Sequence, residues 1–156
     1  MTTTRHVVFV CSGNTCRSPL AAALLAALAR GAGDETLHVR SAGTSAWDGA
    51  PASEGSYLVA LERGMDLGTH RAQVLTAEIV RSADLVLTMT AAQAMRAREL
   101  GGAERVHTLA AYAAGTELGP DVRDPFGGAL ENYRATLDEL EPMIVATWAR
   151  LRSQSG

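Results

Sequence analysis

The chain has 156 residues, 47% apolar and 20% charged, with a formal net charge of −3, a composition that fits one globular domain and not a disordered chain. All 14 basic residues are arginine, which excludes chemistry built on an ε-amine, such as a Walker-loop lysine, a pyridoxal-phosphate site or a Schiff-base aldolase. A pI near 5.8 argues against nucleic acid as a partner, and no apolar run reaches the ~18 residues of a membrane span or opens a secretory leader.

The first predicted element is a strand, His6 to Val10, whose apolar, β-branched run suits burial on both faces. Ser18-Pro19 then opens a helix, with serine as N-cap and proline at the first helical position, and Gly31 stops it. Leu37 to Ser41 reads as a second strand, followed by a loop from Ala42 to Pro51. Helices are expected over Ser53 to Arg63 and after Thr76, then a strand at Asp84 to Met89. A helix from Ala91 to Leu100 and a fourth strand at Arg105 to Thr108 follow. The last helix carries a stripe at Leu130, Tyr133, Leu137, Leu140, Ile144, Trp148 and Leu151, with a kink or restart expected at Pro142. Alternating strands and helices predict a single α/β domain over 1–156, a four-stranded parallel sheet with helices on both faces. Ligands of such sheets sit beyond the carboxyl ends of the strands.

The informative residues begin there, in Cys11-Ser12-Gly13-Asn14-Thr15-Cys16-Arg17-Ser18-Pro19. A loop entering a helix N-terminus aims free N–H groups and the positive end of the dipole at one point. Gly13 is expected to let the loop curl around a small anion, and Arg17 offers a planar fork for two phosphate oxygens. The same field stabilises a thiolate at Cys11, set for in-line attack on phosphorus. A bare Cys-x5-Arg match is weak, and a cytosolic cysteine after a strand is often an inert core residue. The conjunction with a glycine-bearing loop and a Ser-Pro helix start makes the functional reading the stronger one. An acid for the leaving group is found in Asp124, in the turn-forming stretch Asp124-Pro125-Phe126-Gly127-Gly128. Spacing alone does not bring it to Cys11.

Val10-Cys11-x-Gly13-Asn14-x-Cys16-Arg17-Ser18-Pro19, Ser41-Ala42-Gly43-Thr44, Trp47, Asp84 to Met89 and Asp124-Pro125-Phe126 together resemble the low-molecular-weight protein phosphatases over essentially the whole chain. The resemblance implies that Cys11 is the nucleophile of a phosphocysteine intermediate and that Arg17 holds the phosphoryl oxygens. Asp124 would be the acid and then the base, and Asn14, Ser18 and Ser41 would shape the loop by hydrogen bonds. It also implies no metal and no cofactor. Cys16 matches a second loop cysteine able to form a reversible, protective disulfide with the nucleophile.

Tyrosine-specific members usually carry an aliphatic residue where this chain has Thr15, and an aromatic pair where it has Phe126-Gly127. Both departures resemble the bacterial protein-arginine phosphatases, since a hydroxyl leaves polarity and room for a guanidinium. Trp47 and Phe126 are the expected pocket walls, though each could equally be a loop anchor. Phosphorylated proteins are therefore the expected substrates of a cytoplasmic monomer, phosphoarginine ahead of phosphotyrosine. Two other classes use a similar loop. Arsenate reductases share this loop but add a downstream cysteine relay, and no cysteine follows Cys16. A non-catalytic phosphate-binding or redox-sensing module is disfavoured by Cys11, Arg17 and Asp124 standing together. His38, His70 and His107 carry no assigned catalytic task.

Overall fold

A computed structural model describes residues 4–154. Val7, Val8, Phe9 and Val10 are each at most 1% exposed, which requires a strand covered on both faces. That strand, β1 (Arg5–Cys11), pairs in parallel with β2 (Leu37–Gly43) on one side and β3 (Leu85–Thr88) on the other. β4 (Val106–Thr108) lies beyond β3, giving the order β2-β1-β3-β4. The parallel four-stranded sheet read from the sequence is thus present, with β2 running two residues further than expected, to Gly43.

Alternation along β1 sorts the helices. Val7 and Phe9 join a core with Leu20, Leu24 and Leu25 of α1 (Arg17–Gly31) and Leu137, Leu140, Ile144 and Trp148 of α6 (Leu130–Ser153). α2 (Glu54–Glu62) and α5 (Leu109–Ala114) pack into the same face. Val8 and Val10 face the other way, onto Ile79 and Val80 of α3 (Ala77–Ser82) and Ala94 and Ala97 of α4 (Ala91–Ala97). Each fully buried Leu or Ile contributes roughly 1.5–3 kcal/mol, so both layers are needed to hold the sheet.

Several ends differ from expectation. α1 begins at Arg17 with Cys16 as N-cap, and no side chain caps it, so Ser18 and Pro19 lie inside its first turn. There the orphan N–H groups face the loop, and Ser18 uses its hydroxyl elsewhere. The helix stops one turn position later than predicted: Gly33 takes φ +72° while its N–H donates to the Arg30 carbonyl and that of Asp34 to the Ala29 carbonyl. This paired closure needs a left-handed residue after the cap, which Gly31, still helical, does not supply. Pro142 sits on an exposed face inside α6, which continues through it without a restart; its missing N–H strands only a solvent-side carbonyl. α4 runs on into Arg98–Gly102, where Gly101 at φ 110° breaks the helix. The short α5, capped by Thr108, had no separate sequence expectation.

The connection leaving β1 leads to β2 on one side, while the next strand, β3, lies on the other. This reversal of direction opens a crevice at the carboxyl end of β1. Cys11 is its last residue.

Candidate active site

Between β1 and α1 the chain turns through one non-glycine residue with positive φ, Asn14 at 57°. Gly13, expected to make that turn, is not in the left-handed region, and a Cβ on it would meet Thr15 Oγ1 at an ordinary 3.6 Å. Asparagine tolerates this region when its side chain is bonded locally, and Asn14, fully buried, is bonded twice. Its Oδ1 accepts the Gln73 N–H at 3.0 Å, which orients the amide so that Nδ2 donates to Ser18 Oγ at 2.8 Å. Ser18 Oγ, already an acceptor, turns its own proton to Cys11 Sγ at 2.9 Å. The Asn14 N–H donates to the same sulfur at 3.2 Å. Two donors on one buried sulfur suit a negative charge there.

A second layer holds that loop from outside. The His70 ring meets the Asn14 carbonyl at 2.7 Å; a carbonyl only accepts, so Nε2 carries the proton. Burial pushes the His70 pKa below its ordinary value, against the opposing pull of that carbonyl, and Arg71 adds to the depression. Gln93 accepts the Met89 and Thr90 N–H groups as part of a capping box for α4, and its Nε2 donates to Ser12 Oγ at 3.1 Å. Ser41 reaches the loop at one remove: its carbonyl accepts Gln73 Nε2 at 3.0 Å. Gly43 must be glycine, since a Cβ would stand 2.4 Å from the Ser12 carbonyl oxygen. Thr44 and Ser45 then donate their N–H groups to the Cys11 and Ser12 carbonyls.

Arg17 is 4% exposed. Its Nη1 donates to the Val122 carbonyl at 3.0 Å and its Nη2 lies 3.6 Å from Asp124 Oδ2, while the buried Nε has no partner among the described residues. A buried guanidinium with a spare N–H is a ready oxyanion donor. The Asp124 side chain is 50% exposed, and its Oδ1 accepts the Phe126 N–H at 3.0 Å, closing its own turn. Gly13, Thr15, Cys16, Arg17, Asp124 and the rims Trp47 and Phe126 line one cleft of about 280 Å³. Trp47 is 83% and Phe126 70% exposed, so both are walls open to solvent and not loop anchors.

Cys16 is buried and, like Cys11, a free thiol. Its sulfur lies 3.1 Å from Ser53 Oγ, whose hydroxyl and N–H both reach the Thr15 carbonyl. Burial raises the pKa of the nearby Tyr133 phenol, and Cys16 adds to the effect. Of the loop residues singled out in the sequence, Gly13, Thr15, Cys16 and Arg17 line one cleft with Asp124, Trp47 and Phe126, while Cys11, Asn14 and Ser18 are buried and bonded to one another. Sequence reasoning missed the supports Ser53, Gln73, Gln93 and the bond made by His70. Of these only Thr90-x-x-Gln93, a helix-start pattern, had a local signature.

A buried cysteine at the end of the first strand, a helix N-terminus, and a buried arginine 3.6 Å from a half-exposed carboxylate form a cysteine-centred site with free donors for an oxyanion. The family described as "Low molecular weight phosphotyrosine protein phosphatase" matches residues 6–155. A protein-arginine-phosphatase of Bacillus subtilis is 40% identical over 145 residues, 88% of this chain and 91% of that protein. A probable low-molecular-weight protein-tyrosine-phosphatase of Ralstonia nicotianae is 33% identical, covering 96% of this chain and 97% of the relative. Among solved structures, a mutant of the YwlE arginine phosphatase with a phosphorylated active-site serine superimposes with a TM-score of 0.87 at 38% identity, covering 94% of this chain and 95% of that one. The chain belongs to the low-molecular-weight phosphotyrosine protein phosphatase family. Among the described residues no helix is long and apolar enough to cross a membrane.

Proposed function

We propose that this chain is a cysteine-dependent protein phosphatase that removes the phosphoryl group from phosphoarginine in proteins through a phosphocysteine intermediate. The observation that carries the reading is the pair of donors, Ser18 O–H and Asn14 N–H, converging on Cys11 Sγ beneath the helix N-terminus beside Arg17.

In the first step the Cys11 sulfur attacks phosphorus in line, forming S–P as the bond to the leaving nitrogen breaks. Asp124 gives its proton to that nitrogen. Loop N–H groups and Arg17 hold the equatorial oxygens, where charge accumulates. In the second step a water attacks the phosphocysteine, Asp124 takes the water's proton, and inorganic phosphate leaves with the sulfur restored as acceptor of its two hydrogen bonds. No lysine is needed, because backbone donors and one guanidinium do the holding.

Thr15 supports phosphoarginine as the substrate. It lines the cleft with a hydroxyl, and an apolar branch there would strip water from a guanidinium without replacing its hydrogen bonds. Half-exposed Asp124, once it has given its proton to the leaving nitrogen, is left as an anion that pairs with the departing guanidinium. The greater similarity to the named arginine phosphatase than to the tyrosine phosphatase agrees with this. In this proposal Cys16 is the redox partner of Cys11, and the enzyme is a cytoplasmic monomer acting on phosphorylated proteins, without nucleic acid, membrane, metal or cofactor. The test is kcat/KM on matched phosphoarginine and phosphotyrosine peptides for wild type and Thr15→Ile. Expected is a preference of roughly tenfold or more for phosphoarginine, reversed by the substitution; an identical preference in both enzymes would overturn the role of Thr15.

A further inference from the structure

Phe126 lines three hollows, one of them a polar groove along Asp121, Arg123 and Glu139. Of the other two, one is the cleft with Arg17 and Asp124, and the second is a separate depression of about 480 Å³ between α2, the loop 121–128 and α6. Its walls include Leu58, exposed on α2, half-buried Leu130 at the start of α6, and the ring of buried Tyr133. Glu54, exposed in the first turn of α2, is the charged group among the residues that line it. Gly127 lines it without a side chain: φ is +79° and a Cβ there would meet nothing within 4 Å. The passage around Phe126 therefore stays low, where an aromatic residue would build a wall.

We propose that this depression is a substrate subsite, which receives an aliphatic side chain close in sequence to the phosphorylated residue. It rests on the protein-phosphatase reading above. Three observations select this occupant over others. The depression borders the cleft that holds Arg17 and Asp124 and shares with it the 70% exposed Phe126, so a substrate chain whose phosphorylated side chain enters the cleft has this hollow as a neighbour. The Leu58, Leu130 and Phe126 surfaces gain by burial against an aliphatic group. Glu54 repels an acidic side chain and leaves an uncharged or basic neighbour unopposed. Phosphorylated amino acid alone fills only the reaction cleft, so selectivity from this hollow is seen with peptides and not with free phosphoarginine.

The experiment uses short phosphoarginine peptides in a glycine-serine background, with leucine or aspartate placed in turn at each neighbouring position. The readout is the leucine-to-aspartate ratio of kcat/KM within one enzyme preparation, which partial unfolding does not move. Wild type is expected to show a ratio of roughly fivefold or more at one or two positions, expressed mainly in KM. Leu58→Gln is expected to bring it close to one. A ratio near one at every position in wild type, or a ratio unchanged in Leu58→Gln, overturns the subsite. A parallel phosphotyrosine series separates this from the choice of substrate. Turnover of that series alone would sink the phosphoarginine reading, while its own leucine-to-aspartate ratio still decides the subsite.

Discussion

The loop from Cys11 to Ser18 and the loop 121–128 face each other across one cleft but are held in opposite ways. In the first, Cys11, Asn14 and Arg17 are at most 4% exposed, and Asn14 alone takes part in bonds to Cys11, Ser18, His70 and Gln73. In the second, Asp124 and Phe126 stand in solvent, and the anchor is the buried Val122. Its N–H donates to the Met89 carbonyl at 2.8 Å, and its carbonyl takes Arg17 Nη1. The difference fits what the proposed reaction asks of each. Donors that stabilise a transition state act best when fixed beforehand. A carboxylate that trades protons with substrate and water, beside walls that meet varied polypeptides, has to be reachable.

Arg17 ties the two regions together, so its substitution is the sharpest way to break the comparison. Arg17→Lys keeps the charge but loses the fork that reaches Val122 and Asp124 and leaves Nε free among the described residues. A fall in kcat/KM of about 10²–10³-fold is expected; a loss below about threefold would mean that point charge alone suffices. Asn14→Ala tests the rigid side by itself. It forces alanine into the left-handed region and strips partners from Ser18 and the Gln73 N–H, at an expected cost of roughly 2–4 kcal/mol in thermal or denaturant unfolding. Unchanged stability would contradict the idea that the loop is over-determined.

The smallest effect concerns pH. Folded His70 and His107 both bind a proton less readily than their ordinary value of 6.5, chiefly through burial. The unfolded chain therefore takes up protons first as pH falls. Stability is complete above 6.5 and is lost as pH drops through that value toward the depressed folded pKa. His70→Asn should flatten, without abolishing, the fall of melting temperature between about pH 7 and about pH 5. An unaltered slope would remove His70 from the support of the loop.

Much of the sheet was legible because buried parallel strands are short β-branched runs and two helices begin after threonines, Thr76 and Thr90, that cap them, whereas the short α5 behind Thr108 was not foreseen. The loop from Cys11 to Ser18 was legible because its chemistry-bearing residues are contiguous. Its supports were not: Gln73 and His70 lie about sixty residues away in sequence and act on backbone or amide atoms of Asn14, which leaves no periodic trace. Gly13 drew attention that belonged to Asn14, since glycine signals a left-handed turn by composition alone, whereas Asn14 earns its φ through two tertiary hydrogen bonds. The end of α1 was misplaced for a similar reason, because Gly31 and Gly33 are equally good stops until the Asp34 to Ala29 bond selects one.

The division of labour rests on one chemical claim, that Cys11 carries the phosphoryl group between two steps that Asp124 serves in turn. Rapid acid quenching of Asp124→Asn enzyme mixed with a phosphoarginine peptide, followed by mass spectrometry of the digested chain, reads this directly. The expected result is a phosphoryl group on Cys11 that accumulates because the second step lacks its base, and that is absent from Cys11→Ala. Phosphate release from wild type with no phosphoryl group ever on Cys11, or undiminished turnover by Cys11→Ala, would contradict it.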